Sequence, residues 1–249
     1  MSLTPRTRSA VAFVFAAVLS LTAAAQPPAP NTTEWESEAL KLRLFYPSDL
    51  VKADTEQVMQ NGRLTLAGVS GATDQKLAGA ARCLRPALVL QLPHSSSQET
   101  AKTQPTAEGE AQVTVTPTTT ATLLLAELDI DCLNAEHEST STTLLNDMAE
   151  IVTKVPGMKS IAQPSTYTIG WQKVHMAAAQ GQPQYQAANP APAQLYTMGL
   201  STNWNSHLLV WYFTSNSIDT LNRITKTTVR FGRDQAAPLY PLTIGNASH

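Results

Sequence analysis

The sequence predicts an α+β sandwich built on a mainly antiparallel sheet. Strand-length apolar segments follow one another through loops, two other segments show helical apolar spacing, and the run Leu208-Leu209-Val210-Trp211-Tyr212-Phe213 is apolar at both parities. Consecutive strands joined by loops build antiparallel sheets, whereas parallel neighbours need a crossover between them. A strand that is apolar at both parities is covered on both faces, so this run is expected at the centre of the sheet.

Taken in order, residues 1–25 read as a signal peptide. Arg6 and Arg8 give a positive start, "AVAFVFAAVLSL" is a short apolar core, and Ala23-Ala24-Ala25 supplies the small residues of a cleavage site. The apolar run falls short of the roughly 20 residues that cross a bilayer. Export to the periplasm or cell exterior is expected, with no transmembrane anchor in the mature chain. Loss of the two arginines moves the formal net charge from −2 to about −4. Only 14% of residues are charged and no basic patch occurs, which argues against nucleic acid as a partner.

Residues 26–37, proline-rich at the start, read as a flexible lead-in. A single domain is expected over 38–232. It opens with "KLRLFYPSDL", where Leu42, Leu44 and Tyr46 alternate with Lys41, Arg43 and Phe45 as in a strand ended by Pro47-Ser48-Asp49. "RLTLAGV", after Asn61-Gly62, is a further strand candidate. "ALVLQLP" (87–93) and "ATLLLAELDIDCL" (121–133) are expected to pair as strands around a polar insertion, residues 94–120, too poor in apolar side chains to offset its ordering entropy.

In "TTLLNDMAEIVTKVPG", Leu144, Leu145, Met148, Ile151, Val152 and Val155 form one helical stripe that Pro156-Gly157 ends. "STYTIGWQKVHMAAAQ" reads as one strand, and "QLYTMGLST" with "SHLLVWYFTS" as a hairpin about Asn203-Trp204-Asn205. Ser217 caps a short helix to about Thr227, "VRF" closes as a last strand, and residues 233–249 read as a loose tail.

"LKLRLFYPSDL" is similar to the F-x-x-x-YP-x-x-W opening of PsbP-like domains, with Leu50 in place of the tryptophan. The helix ending in "VPGMKS", the strand and hairpin after it, and "SNSIDTLNRITKTTVRFG" look like that family's C-terminal half. The resemblance covers roughly residues 38–232. It implies an αβα sandwich and a binding or accessory role, since the family has no shared active site. No functional residue of the family maps onto this chain.

Two cysteines in an exported chain usually pair, so a Cys83–Cys132 disulfide is expected, with two separate buried thiols as the alternative. In "ELDIDCLNAEHE", a strand would place Glu127, Asp129 and Asp131 on one face, about 7 Å apart. A divalent cation would relieve their repulsion, and Glu136, His137 and Glu138 could complete its shell; the bland alternative is that these acids face water. Trp204, between Asn203 and Asn205, either anchors a partner or folds back over the sheet edge. His175 and His207 have no acidic neighbour within three residues, and "GVSGA" (68–72) lacks the G-x-S-x-G form of a nucleophile elbow. The expected function is therefore a non-enzymatic binding module engaging a protein of the cell envelope. A metal-dependent hydrolase built on residues 127–138 is the alternative.

Overall fold

A computed structural model describes residues 31–55, 75–93, 103–104, 112–113, 119–135, 142–182 and 194–245. The expected signal peptide, the "RLTLAGV" strand, Glu136, His137 and Glu138 lie outside these residues. The strands are β1 (Thr32–Ser37), β2 (Leu42–Pro47), β3 (Val51–Lys52), β4 (Leu84–Gln91), β5 (Thr103–Gln104), β6 (Gln112–Val113), β7 (Ala121–Leu128), β8 (Met158–Ile169), β9 (Gln172–Gly181), β10 (Leu195–Trp204), β11 (His207–Ser215), β12 (Thr228–Phe231) and β13 (Ala237–Pro238). The helices are α1 (Gln75–Arg82), α2 (Ile130–Ala135), α3 (Thr142–Glu150) and α4 (Ile218–Thr225).

A seven-stranded antiparallel sheet in the order β3-β4-β7-β11-β10-β9-β8 forms the middle layer. As its pattern requires, β11 is central. Leu209, Trp211 and Phe213 point into one apolar cluster, while Leu208, Val210 and Tyr212 point into another on the opposite face. The second cluster is completed by Leu77 of α1, Leu133 of α2 and the α3 stripe of Leu144, Leu145 and Met148. A 3₁₀ turn, Ile151–Thr153, continues that stripe. The first cluster is closed by Leu221 and Ile224 of α4 and by a four-stranded sheet, β1-β2-β12-β13. The chain is thus α+β with three layers, of which one outer layer is helical and the other combines a helix with a small sheet. Burial of each large aliphatic side chain in such layers stabilises by about 1.5–3 kcal/mol.

Several expectations change. "STYTIGWQKVHMAAAQ" is not one strand: it folds as β8 and β9, which turn at Gly170-Trp171, with Gly170 at φ +58. Sixteen residues exceed an ordinary strand, and the glycine supplies the left-handed backbone that the turn requires. "VRF" is a strand, as expected, and pairs with β2 in the small sheet. The lead-in is ordered from Thr32, where β1 pairs along β2 and Arg43 bridges Glu34 and Glu36 at 3.3 and 2.7 Å. The segment after Gly232 is packed as far as Gly245, not loose. Leu239, Tyr240 and Ile244 are buried, and Asn222 of α4 exchanges two hydrogen bonds with the Ile244 backbone at 3.0 and 2.8 Å.

The strands flanking the polar insertion, β4 and β7, pair antiparallel as expected. Cys83 and Cys132 form a disulfide with Cα atoms 5.5 Å apart, fastening α2 beside the start of β4. Both sheet edges are blunted. β3 contributes two paired residues, and β8 carries Pro164 and two register shifts, devices that discourage strand addition.

Candidate functional site

The acidic segment does not form the expected strand face. β7 ends at Leu128 and α2 begins at Ile130, so Asp131 lies in the first turn of a helix. Asp129 caps that helix: its Oδ1 accepts from the Asp131 N–H at 3.1 Å, its carbonyl accepts from Leu133 N–H at 2.9 Å, and its Oδ2 pairs with Arg85. Aspartate in that position satisfies an orphan N–H of the first turn, which favours helix over strand at this point. Glu127, still on β7, is 2.5 Å from His207 Nδ1 on the neighbouring β11. Glu127 and Asp129 thus each have a partner inside the fold. Among the described residues no group of three or more His, Cys, Asp or Glu is placed to hold a metal ion.

Trp204 folds back. The two-residue turn Asn205-Ser206, both at positive φ, returns the chain from β10 to β11. The indole then lies 5.1 Å from the Phe231 ring, half-buried, with Nε1 donating to Leu40 O at 2.9 Å. It clamps the tip of the large sheet to the small one, which explains the residue without a partner.

The tryptophan that faces solvent is Trp171, 92% exposed at the tip of the β8–β9 turn. Beside it opens a cleft of about 610 Å³, between the first turns of α3 and the ends of β8, β9 and β10. Thr142 and Asn146 come from α3, Thr166 from β8, Gln172, Lys173 and His175 from β9, and Ser201 and Asn203 from β10. Among the described residues, Lys173 is the one lining residue with a fixed charge, and the rest of the polar lining is hydroxyl, amide and imidazole.

Helix α3 shapes this cleft because it lies directly on the sheet. A Cβ at Gly199 would stand 2.1 Å from Ala149 O, so only glycine lets the C-terminal end of the helix this close. Two residues further along β10, Ser201 faces His175 in register, at the point where helix and sheet part. Ser201 is 1% exposed and its Oγ has no hydrogen-bond partner. An unpaired buried hydroxyl carries a desolvation cost of about 1–3 kcal/mol, so its presence in a cleft wall calls for an explanation.

His175 cannot supply the partner, because both ring nitrogens are engaged. Nε2 lies 2.8 Å from Glu150 Oε1, at the end of α3, and Nδ1 lies 3.1 Å from Thr166 Oγ1. An ionised carboxylate only accepts, so Nε2–H points at Glu150, and in the neutral ring Nδ1 accepts from the Thr166 hydroxyl. The histidine pins α3 to the sheet, and among the described residues no base is bonded to Ser201.

Trp171, Ser201 and the His175–Glu150 and His207–Glu127 pairs were not singled out from sequence as a site. A glycine interrupting a strand-length pattern was the available signal for the Trp171 turn. The His175–Glu150 and His207–Glu127 contacts span 25 and 80 residues and have no local signature.

No family model matches the chain, and no curated protein matches it. Among solved structures, it aligns with a crystal structure of a protein of unknown function, PA94 from Pseudomonas aeruginosa. That alignment has 10% identity and a TM-score of 0.29 over 74% of this chain and 83% of that one, values that carry no argument about either protein. No helix among the described residues is long and apolar enough to cross a membrane. That finding and the disulfide are compatible with an exported protein.

Proposed function

We propose that the chain is an exported, non-enzymatic binding module of the cell envelope, an αβα sandwich of PsbP-like kind, which engages its partner at the Trp171 cleft. The observation that carries this reading is Trp171 itself, 92% exposed on a tight hairpin beside a polar cleft. Indole is enriched at binding hot spots because one rigid ring covers a large apolar area at small entropic cost. A two-residue turn between paired strands presents it on a stiff support. The cleft chemistry agrees with binding rather than turnover: its imidazole is tied at both nitrogens, and its buried serine is bonded to no base among the described residues.

The test is to immobilise the exported protein and its Trp171→Ala variant, pass solubilised envelope fractions over both, and identify what is retained. A component held by the parent and released by the variant, at equal melting temperature, supports the reading. Equal retention by both proteins sinks it. So does metal-dependent hydrolysis of model ester or phosphoester substrates, which would favour the hydrolase alternative.

A further inference from the structure

The chemistry of the cleft narrows what it can bind. Ser201 belongs to the cleft lining, and its Oγ is buried just behind that wall and unpaired. A ligand hydroxyl could both donate to it and accept from it. Asn146 and Asn203 offer side-chain amides, each able to donate and to accept. Gln172 commits its Nε2 to Thr202 Oγ1 and to Asn203 O, which leaves Oε1 as an acceptor. Among the described residues Lys173 is the one fixed charge of the lining, and these residues hold no cluster of cations for a multivalent anion. Trp171 adds a flat apolar ring at the mouth. The complement of a flat ring beside scattered neutral donors and acceptors is a molecule with one apolar C–H face and a rim of hydroxyls.

We infer that this cleft binds a neutral sugar ring of a glycan, stacked on Trp171, with a ring hydroxyl reaching Ser201. This rests on the binding reading above and assigns its ligand class. Ser201 would be a specificity-determining residue, since a ligand without a hydroxyl there leaves the buried Oγ unpaired in the complex.

The chain as exported is titrated calorimetrically with maltohexaose, cellohexaose and chitohexaose, and iodide quenching of its tryptophan fluorescence is followed alongside. At least one hexasaccharide is expected to bind and to shield Trp171 from iodide. Trp171→Ala should weaken that binding by about tenfold or more at unchanged melting temperature. Ser201→Ala should weaken it by about fivefold, while the melting temperature stays equal or rises, because the variant removes an unpaired buried hydroxyl. A purely structural serine would not give that combination.

Failure of all three sugars to bind or to alter quenching overturns the inference. If Trp171→Ala still abolishes capture of an envelope component in that case, the binding reading stands without its sugar. Sugar binding that survives both substitutions overturns the assignment of this cleft.

Discussion

Trp204 and Phe231 stack across the junction of the two sheets, ring centroids 5.1 Å apart and planes inclined by 55°, while the indole N–H reaches the Leu40 carbonyl at 2.9 Å. One side chain at the tip of the large sheet thereby holds both the β1–β2 turn and the last residue of β12. Phe231 in turn meets the fully buried Trp211 edge-on at 6.5 Å, so the clamp continues into the core.

Trp204→Ala is therefore expected to destabilise the protein by about 2–3 kcal/mol, below the full cost of a buried tryptophan because the residue is half-buried. At about 2–4 °C per kcal/mol for a domain of this size, the melting temperature falls by roughly 5–10 °C. Trp171→Ala, by contrast, should change stability by less than about 0.5 kcal/mol. Thermal melts of the two variants side by side check the contrast. Equal losses would contradict the different roles assigned to the two indoles.

The disulfide gives a second prediction. It joins residues separated by 49 positions, and closing a loop of that size constrains the unfolded chain by roughly 4 kcal/mol in the chain-entropy model. Denaturant melts with and without reductant should differ by about that amount, and Cys83→Ala/Cys132→Ala should behave like the reduced protein. A double variant as stable as the parent would show that packing of Leu133, rather than the bond, holds α2 in place.

How far the sequence discloses this molecule depends on the range of the signal. The alternation Leu42, Leu44, Tyr46, the stripe of α3, the Ser217 cap (Oγ accepting from Thr220 N–H at 3.3 Å) and the centrality of β11 all arise from local periodicity, and all four are present. The strand reading of Asp129-Ile130-Asp131-Cys132 fails because a cap competes with alternation: Asp129 satisfies the Asp131 N–H in the first turn of α2, and the bond to Cys83 fixes that turn. The tail is illegible for a different reason. Its order comes from Asn222, more than twenty residues upstream, and no local composition discloses that clasp. The candidate cleft was the least legible part, since its serine and histidine come from β10 and β9, and the glutamate that holds the histidine comes from α3.

Gly199 illustrates a constraint invisible to pattern. It sits in an apolar strand where any small side chain reads equally well, yet a Cβ there would lie 2.1 Å from Ala149 O. Gly199→Ala forces α3 away from the sheet, and overpacking against backbone rather than a yielding side chain should cost about 3 kcal/mol or more. Because the cleft lies where α3 leaves the sheet, ligand binding at Trp171 should weaken in the same variant. Gly245→Ala, with nothing within 4 Å of the added carbon, is the matched control and should melt like the parent.

The last prediction concerns alkaline pH. Burial raises the pKa of Tyr46, Tyr167, Tyr212 and Tyr240 above the ordinary value of 10.0, and for Tyr167 the neighbouring Tyr240 adds to the effect. The Tyr212 hydroxyl donates to Met148 O at 2.7 Å and the Tyr167 hydroxyl donates to Leu239 O, bonds that require the protonated phenol. In the unfolded chain these groups lose their protons near pH 10, while in the folded protein they keep them. Above that pH the unfolded state binds fewer protons than the native one, so stability falls as pH rises. It is fully present below about pH 10, and it declines through the window between the unfolded and folded pKa values. Tyrosinate absorbance followed against pH, with circular dichroism on the same samples, should show Tyr167 and Tyr212 ionising only as the fold is lost. Ionisation of all six tyrosines near pH 10 with the dichroism unchanged would contradict the burial of these two hydroxyls.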